Sequence, residues 1–218
     1  MLTALAALTA VSAVVVAGRW YRTRVDAIGR LTPFPTLWVS VLIILAVLAA
    51  TPGVLRARLE HRLSAVASAV AGRAVHVRCQ ALGGAFVDAG AELGYVQYRA
   101  DGTPVDWTLL KRDQCNDLAD YLASNKRAPS IKQLIAVHVL THEGMHLAGI
   151  TVEALAECAA MQQDAYTARL LGASAGDAHA LAVQYYERVY PRMAEDYRSA
   201  DCRPGGDLDE NSEDAPWR

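Results

Sequence analysis

Hydrophobic residues of this 218-residue chain follow one pattern before about residue 55 and another after it. Residues 1–18 carry no charged side chain, and neither does the stretch from Leu31 to Leu55. The second stretch is long enough to cross a bilayer, which needs about 20 apolar residues, and the first is at the short end of that range. We therefore predict two transmembrane helices, at residues 1–18 and 33–52, which form a membrane anchor over residues 1–55.

Arginine residues flank these stretches. The loop between the predicted spans carries one acidic residue, Asp26, against Arg19, Arg22, Arg24 and Arg30. Because positively charged loops remain in the cytoplasm, we predict that the large part of the chain after Leu55 lies outside it, although Arg56, Arg58 and Arg62 follow the second span. A cleaved signal peptide is disfavoured, because no basic residue precedes Arg19. Buried core helices remain the alternative for both stretches.

After the second span the pattern becomes that of an amphipathic helix over residues 56–72. Gly72 ends the pattern. The apolar residues, which recur at helical spacing among arginines, are Leu55, Leu59, Leu63, Val66 and Val70. We expect this helix to connect the anchor to a domain at residues 73–200, and to pack on that domain rather than lie on the membrane surface.

Alternating residues then predict a short strand at residues 74–79 and a β-hairpin with strands at 94–99 and 105–110. Glycines at positions 83, 84 and 90 predict loops. Helical patterns follow at residues 114–124, from about 130 to 148, from about 150 to 171 and at 177–198. The acidic tail, residues 201–218, is expected to be irregular and solvated. The predicted fold class is α+β, a mainly helical domain with a small hairpin or sheet.

Composition limits the compartment and the partners. All four cysteines follow the predicted spans: Cys79, Cys115, Cys158 and Cys202. An even number in one domain favours two disulfides in an oxidising compartment, with three possible pairings, and free buried thiols in a cytosolic domain are the alternative. A net charge of −2 and a pI near 6.3 leave no basic surface for nucleic acid.

The helix between Pro129-Ser130 and Gly149 contains the sequence His142-Glu143-Gly144-Met145-His146, an HExxH pattern. Positions four apart lie on one helical face, so His142 and His146 can bind one metal ion with Glu143 close by. Two histidines on an apolar helix are costly to bury unless a partner satisfies them, and a metal does so. The alternative is a chance match whose histidines bond to the backbone.

A second helix follows Gly149 almost at once. If the chain reverses there, residues equidistant from the turn face each other, which sets Glu153 opposite His146 and Glu157 opposite His142. A catalytic zinc takes three protein ligands and leaves the fourth position for water. Carboxylates therefore stand where a third ligand is needed, and the spacing leaves Glu153 and Glu157 both open for that place.

His142-Glu143-x-x-His146 followed by Glu153-x-x-x-Glu157 resembles the zincin metallopeptidases, specifically the gluzincins. The resemblance implies Zn²⁺ held by His142, His146 and Glu153. It also implies that Glu143 acts as the general base and that Glu157 orients His142. The substrate is then a peptide or protein, held by strand addition along an edge strand beside the helix, for which the predicted hairpin is the candidate.

Two departures separate the chain from these families. The interval from His146 to Glu153 is shorter than in the large gluzincins, and Val152 stands where metzincins have their third histidine. The run from His142 to Gln162 also resembles small membrane-attached actinobacterial proteins of unassigned activity. The expected function is a membrane-anchored zinc metallopeptidase. The alternatives are a non-catalytic envelope protein with a zincin scaffold, and a di-metal carboxylate site, disfavoured because only one Glu-x-x-His is present.

Other polar groups lie near the motif in sequence. His138 precedes His142 by one turn and is expected in the core or behind a ligand, because three successive turns do not converge easily on one ion. A working peptidase also needs a group that stabilises the oxyanion. The candidates, all on the last predicted helix, are His179, Tyr185, Tyr186 and Tyr190, and the sequence does not rank them.

Overall fold

The computed structural model describes residues 2–81 and 93–218, so the loops predicted at Gly83, Gly84 and Gly90 lie outside the described residues. It is mainly helical with a small sheet, as the α+β prediction requires. The helices are α1 (Leu2–Arg22), α2 (Thr36–Ala71), α3 (Arg112–Ala123), α4 (Ile131–Leu147), α5 (Glu153–Met161), α6 (Asp164–Leu170) and α7 (Ala175–Arg188). The strands are β1 (His76–Cys79), β2 (Gly94–Tyr98) and β3 (Pro104–Leu110), and 3₁₀ turns cover Tyr190–Arg192 and Glu195–Tyr197. The chain divides into two compact units, Met1–Arg58 and Leu59–Arg218.

Two helices are long and apolar enough to cross a membrane: α1, which lies in the first unit, and α2, which begins in it. Within the first unit most of their apolar side chains are exposed, among them Leu8, Val14 and Ile44. Trp20, near the end of α1, contacts two residues at the far end of the loop between the helices, Thr32 and Phe34. Nε1 of Trp20 donates to the carbonyl oxygen of Thr32 at 3.1 Å, and its ring meets the Phe34 ring edge-on at 4.9 Å. Such exposed apolar helices indicate association with a membrane.

Helix α2 continues through Pro52 without a break, so the predicted second span and the predicted connecting helix are one element. Its last turns belong to the second unit, where Leu63, Val66 and Ala67 are buried in the core. The connecting helix therefore packs on the domain, as expected. The compact second unit, which begins at Leu59, includes these turns.

Polar side chains of α2 also complete the sheet. At four-residue intervals they accept hydrogen bonds from alternate backbone N–H groups at the start of the sheet: Glu60 from Cys79 at 2.8 Å, Ser64 from Val77 at 2.8 Å and Ser68 from Val75 at 3.0 Å. Strand β1 is at the edge of the described sheet, whose order is β1-β3-β2. Side chains of a helix thus satisfy the backbone donors that a further strand would otherwise satisfy.

The three strands include the predicted hairpin. Strands β2 and β3 are antiparallel and joined through Gly102, whose φ is +80°. Strand β1 pairs with β3 in parallel, which the sequence pattern did not indicate. A disulfide between Cys79 and Cys115 links the end of β1 to α3.

Helix α4 is the centre of the second unit and contacts β2, β3, α3, α5, α6 and α7. Two of the predicted helices around it are shorter than expected. The helix expected from about 150 to 171 is interrupted at Gln162 and Gln163, which separates α5 from α6. The last helix ends at Arg188 instead of 198, because Pro191 has no N–H for a helical bond and 3₁₀ turns follow.

The acidic tail is irregular, as predicted, but it is not solvated throughout. A disulfide joins Cys202 to Cys158, the residue after Glu157. The buried side chain of Gln162 donates to the carbonyl oxygen of Leu208 at 2.9 Å and accepts from the N–H of Glu210 at 2.8 Å. The tail is thus held against α5 by one covalent bond and a buried amide.

Candidate metal centre

The helix that carries the HExxH pattern has well-defined ends. Ser130 and Gln133 form a capping box at its start, and Gly149, with φ of +107°, follows its end. Nearly every residue from Leu134 to Leu147 is buried, including His142 and His146. The two histidines are therefore held by a rigid, central element rather than by a loop.

Three potential ligand atoms from α4 and α5 meet at one point. Nε2 of His142 and Nε2 of His146 lie 2.9 Å apart, and Oε2 of Glu153 lies 3.1 Å from the first and 3.4 Å from the second. Two ligands of a tetrahedral zinc, each about 2.0–2.1 Å from the ion, are about 3.3 Å from each other. The three atoms therefore have nearly the spacing that one zinc ion requires, and this group could hold a metal.

The other ring nitrogen of each histidine faces an acceptor. Nδ1 of His146 lies 2.7 Å from the carbonyl oxygen of Ile150, so Nδ1 carries the proton and the lone pair of Nε2 points into the group. Nδ1 of His142 lies 3.1 Å from Oε2 of Glu157, although the contact is too bent to be a formed hydrogen bond. Metal-binding histidines have such acceptors behind them, which fix the tautomer.

The charges of the group call for a cation. Hydrogen bonds from His142 and His146 lower the pKa of Glu153 to about 2, so this carboxylate is ionised. Burial by itself lowers the pKa of His142, but the Glu153 and Glu157 carboxylates outweigh it and raise that pKa to about 9. Nε2 of His142 faces both Nε2 of His146 and a carboxylate oxygen. Because these are acceptors, a proton or a metal ion has to lie between them.

Glu143 is buried beside the hairpin and is not one of the three ligands. Its Oε2 lies 3.1 Å from the Thr108 hydroxyl, which is also 3.0 Å from the carbonyl oxygen of Tyr95. A Cβ atom on Gly94 would lie 2.8 Å from Oε1 of Glu143, so only glycine at this position of β2 leaves room for the carboxylate. Burial raises the pKa of Glu143, against the opposing effect of His142.

Gly144, inside the HExxH pattern, has a packing role. A Cβ atom there would lie 2.6 Å from Cγ1 of Val70, the last residue but one of α2.

 The end of α2 therefore rests directly on the backbone of α4 at Gly144. The sequence pattern alone did not assign Gly144 this role.

Two tyrosines that sequence reasoning did not place at the site lie beside the histidines. The hydroxyl of Tyr98 is 3.2 Å from Nδ1 of His146 and donates to the carbonyl oxygen of Ile150 at 3.3 Å. The ring of Tyr197, in the second 3₁₀ turn, lies 5.8 Å from the ring of His142. A register shift between Val96 and Tyr98 breaks the alternation of β2, so a simple strand pattern could not show where Tyr98 would lie.

The four oxyanion candidates are not brought together at the histidines. The hydroxyl of Tyr185 is buried and donates to Glu157 at 2.7 Å, and that of Tyr190 donates to the carbonyl oxygen of Ser199 at 3.1 Å. Tyr186 stacks on Tyr190, and no described contact joins His179 to the ligand group. Among the described tyrosines, Tyr98 and Tyr197 are the two with a contact to a ligand histidine.

Comparisons with protein-family models, with curated proteins and with solved structures find no match for this chain. Two imidazoles and one carboxylate form a ligand set that zinc accepts, and a fourth position would remain for water. A separate buried carboxylate, Glu143, lies next to one ligand in sequence and is free to move a proton.

Proposed function

We propose that this chain is a membrane-anchored, zinc-dependent metallopeptidase of zincin type. One observation carries the proposal: two histidine nitrogens and one carboxylate oxygen on α4 and α5 converge with separations of 2.9, 3.1 and 3.4 Å. The buried Glu143 supports a hydrolytic role, since a metal site for structure alone has no use for a further carboxylate beside it.

Different residues of the site have different roles in the proposed hydrolysis. His142, His146 and Glu153 would hold the zinc, which when bound lowers the pKa of water to about 7 and polarises a carbonyl group. Glu143 takes the proton of the attacking water and passes it to the leaving amine. Because burial raises the pKa of Glu143, its carboxyl group is better matched to a proton that it must both accept and release. The Thr108 hydroxyl, 3.1 Å away, keeps the carboxylate in place.

The substrate in this proposal is a peptide in an extended conformation. Strand β2 runs along the site, since Gly94 adjoins Glu143 at one end and Tyr98 adjoins His146 at the other. Within the described residues β2 is at the edge of the sheet and pairs with β3 alone. A peptide added to this edge would present its backbone to the metal centre, as the resemblance to zincins implies.

Zinc content and hydrolysis test the proposal together. Full-length chain purified in detergent is expected to contain one zinc ion, which His142→Ala and His146→Ala lose or hold far more weakly. Elemental analysis measures the metal, and a mixed-sequence fluorogenic peptide library measures hydrolysis. His76→Ala, at an exposed position of β1, is the matched control and should retain both properties. Folded wild-type protein without zinc, and unaffected by a chelator, would contradict the metal site. Zinc without hydrolysis would favour a zinc-binding scaffold.

We also propose that the second unit lies outside the cytoplasm. The two disulfides, Cys79–Cys115 and Cys158–Cys202, require an oxidising compartment, and the arginine-rich loop between α1 and α2 favours the cytoplasmic side. Alkaline phosphatase fused after Arg218 should therefore be active, and a reporter that works only in the cytoplasm should be silent. The opposite pattern, or four free thiols in freshly prepared protein, would reverse the topology.

A further inference from the structure

Behind the ligand histidines lies a second group of ionisable residues that hydrolysis itself does not use. Four helices contribute one residue each: His138 from α4, Glu157 from α5, Asp164 from α6 and Tyr185 from α7. Their exposed fractions are 2%, 1%, 0% and 1%, respectively. Burying so many polar groups is costly, and a packed apolar cluster would stabilise these helices at least as well. Stability of the fold therefore does not account for this group.

The contacts of this group form a chain that ends on a ligand. Oδ2 of Asp164 lies 2.8 Å from Nδ1 of His138, and Nε2 of His138 lies 2.9 Å from Oε2 of Glu157. The same Oε2 atom lies 3.1 Å from Nδ1 of His142. Tyr185 completes the chain, because its hydroxyl donates to Oε1 of Glu157 at 2.7 Å and its ring stacks on His138 at 3.6 Å.

We propose that His138, Asp164 and Tyr185 are positioning residues, which keep the carboxylate of Glu157 beside Nδ1 of His142, where it can accept the hydrogen bond that orients the imidazole for binding zinc. The inference rests on the proposed metal site. Both oxygens of Glu157 are held by hydrogen bonds, Oε1 by Tyr185 and Oε2 by His138. The carboxylate therefore cannot turn away from His142 without breaking a buried hydrogen bond.

The charges of the group fit this role. Both ring nitrogens of His138 face carboxylate oxygens, so both have to donate and the ring is an imidazolium. Asp164 and His138 then offset each other. Glu157 and Glu153 are left with one negative charge each, which together balance a divalent cation. Asp164 serves His138 alone, since its other oxygen, Oδ1, is buried and has no hydrogen-bond partner among the described residues.

The break between α5 and α6 makes the chain of contacts possible. Asp164 is the first residue of α6, after the interruption at Gln162 and Gln163. One continuous helix would carry position 164 nearly two turns beyond Glu157 along the same axis, whereas the observed break lets both carboxylates meet the two nitrogens of His138. The tail stabilises this break through the buried side chain of Gln162, which donates to Leu208.

Two conservative variants of the full-length chain test the inference. Tyr185→Phe removes only the hydroxyl on Glu157, and Asp164→Asn removes the charge that faces His138. Each is expected to weaken zinc binding by about 10-fold to 100-fold, measured by competition with a chromophoric chelator. Each should also shift the visible absorption bands of the cobalt-substituted protein, because the orientation of His142 changes. Tyr121→Phe is the matched control: its hydroxyl is buried and has no hydrogen-bond partner among the described residues, so zinc affinity should not change.

The outcomes separate this inference from the proposed function. Zinc affinity and cobalt bands equal to those of the wild type in both variants would overturn the inference while leaving the metallopeptidase proposal intact. A wild-type chain that binds no zinc would overturn both. If Asp164→Asn fails to fold, Tyr185→Phe decides alone. A lower unfolding temperature of the metal-free protein with unchanged zinc affinity would make the group purely structural and would count against the proposal.

Discussion

Replacing Glu143 by Gln is expected to lower peptide hydrolysis by about 100-fold to 10,000-fold while zinc stays bound. The amide has nearly the shape of the carboxylate and can keep its contact with Thr108, but it cannot accept the proton of the attacking water. The three proposed ligand atoms belong to His142, His146 and Glu153, so the variant leaves them in place. Initial rates on the fluorogenic library, with zinc content of the same samples, measure both effects. Loss of zinc along with activity would show that Glu143 helps to bind the metal.

The position of the Glu143 carboxylate can also be disturbed from strand β2, where Gly94 lies against it. Gly94→Ala would set a Cβ atom 2.8 Å from Oε1 of Glu143, and the carboxylate would have to move. A displacement of about 1 Å can cost about 100-fold in rate, so hydrolysis should fall while zinc binding persists. Gly176→Ala is the matched control, because a Cβ atom on this glycine of α7 meets nothing within 4 Å. Equal rates for the two variants would mean that Glu143 has no fixed position in the reaction.

Local sequence patterns predicted the elements that carry the site. Ser130 and Gly149 mark the ends of α4 because capping is decided within one turn of the chain. The hairpin of β2 and β3 could be read from alternation and from Gly102 for the same reason. Helical spacing together with one reversal of the chain set carboxylates opposite His142 and His146, but it left Glu153 and Glu157 both open as the third ligand, and only the resemblance to zincins favoured Glu153.

The features that the sequence did not reveal depend on contacts between distant segments. The end of α5 is set by Gln162, whose side chain bonds to Leu208 in the tail, and no local pattern encodes that contact. Likewise, Glu60, Ser64 and Ser68 resemble an ordinary polar face of a helix until β1 is placed against them. The link from His138 to Asp164 needed both the break after α5 and the packing of α6 on α4.

The two carboxylates of α5 are expected to respond differently to the same substitution. Oε2 of Glu153 lies among the ligand nitrogens, 3.1 Å from Nε2 of His142, whereas Oε2 of Glu157 lies 3.1 Å from the opposite nitrogen of that ring. Glu153→Gln removes a ligand charge and should weaken zinc binding more than Glu157→Gln, which should cost about 10-fold to 100-fold.

The unfolding temperature of the metal-free protein should fall more in Glu157→Gln than in Glu153→Gln, the reverse of the order expected for zinc binding. The Glu153 side chain is 39% exposed, so Glu153→Gln should leave the unfolding temperature of the metal-free protein nearly unchanged. The Glu157 side chain is 1% exposed and contacts His138 and Tyr185, so Glu157→Gln should lower that temperature. Zinc titration measures the affinity of both variants, and thermal unfolding measures their stability without metal. If Glu157→Gln abolishes zinc binding while Glu153→Gln retains it, the third ligand is Glu157, one helical turn further along α5.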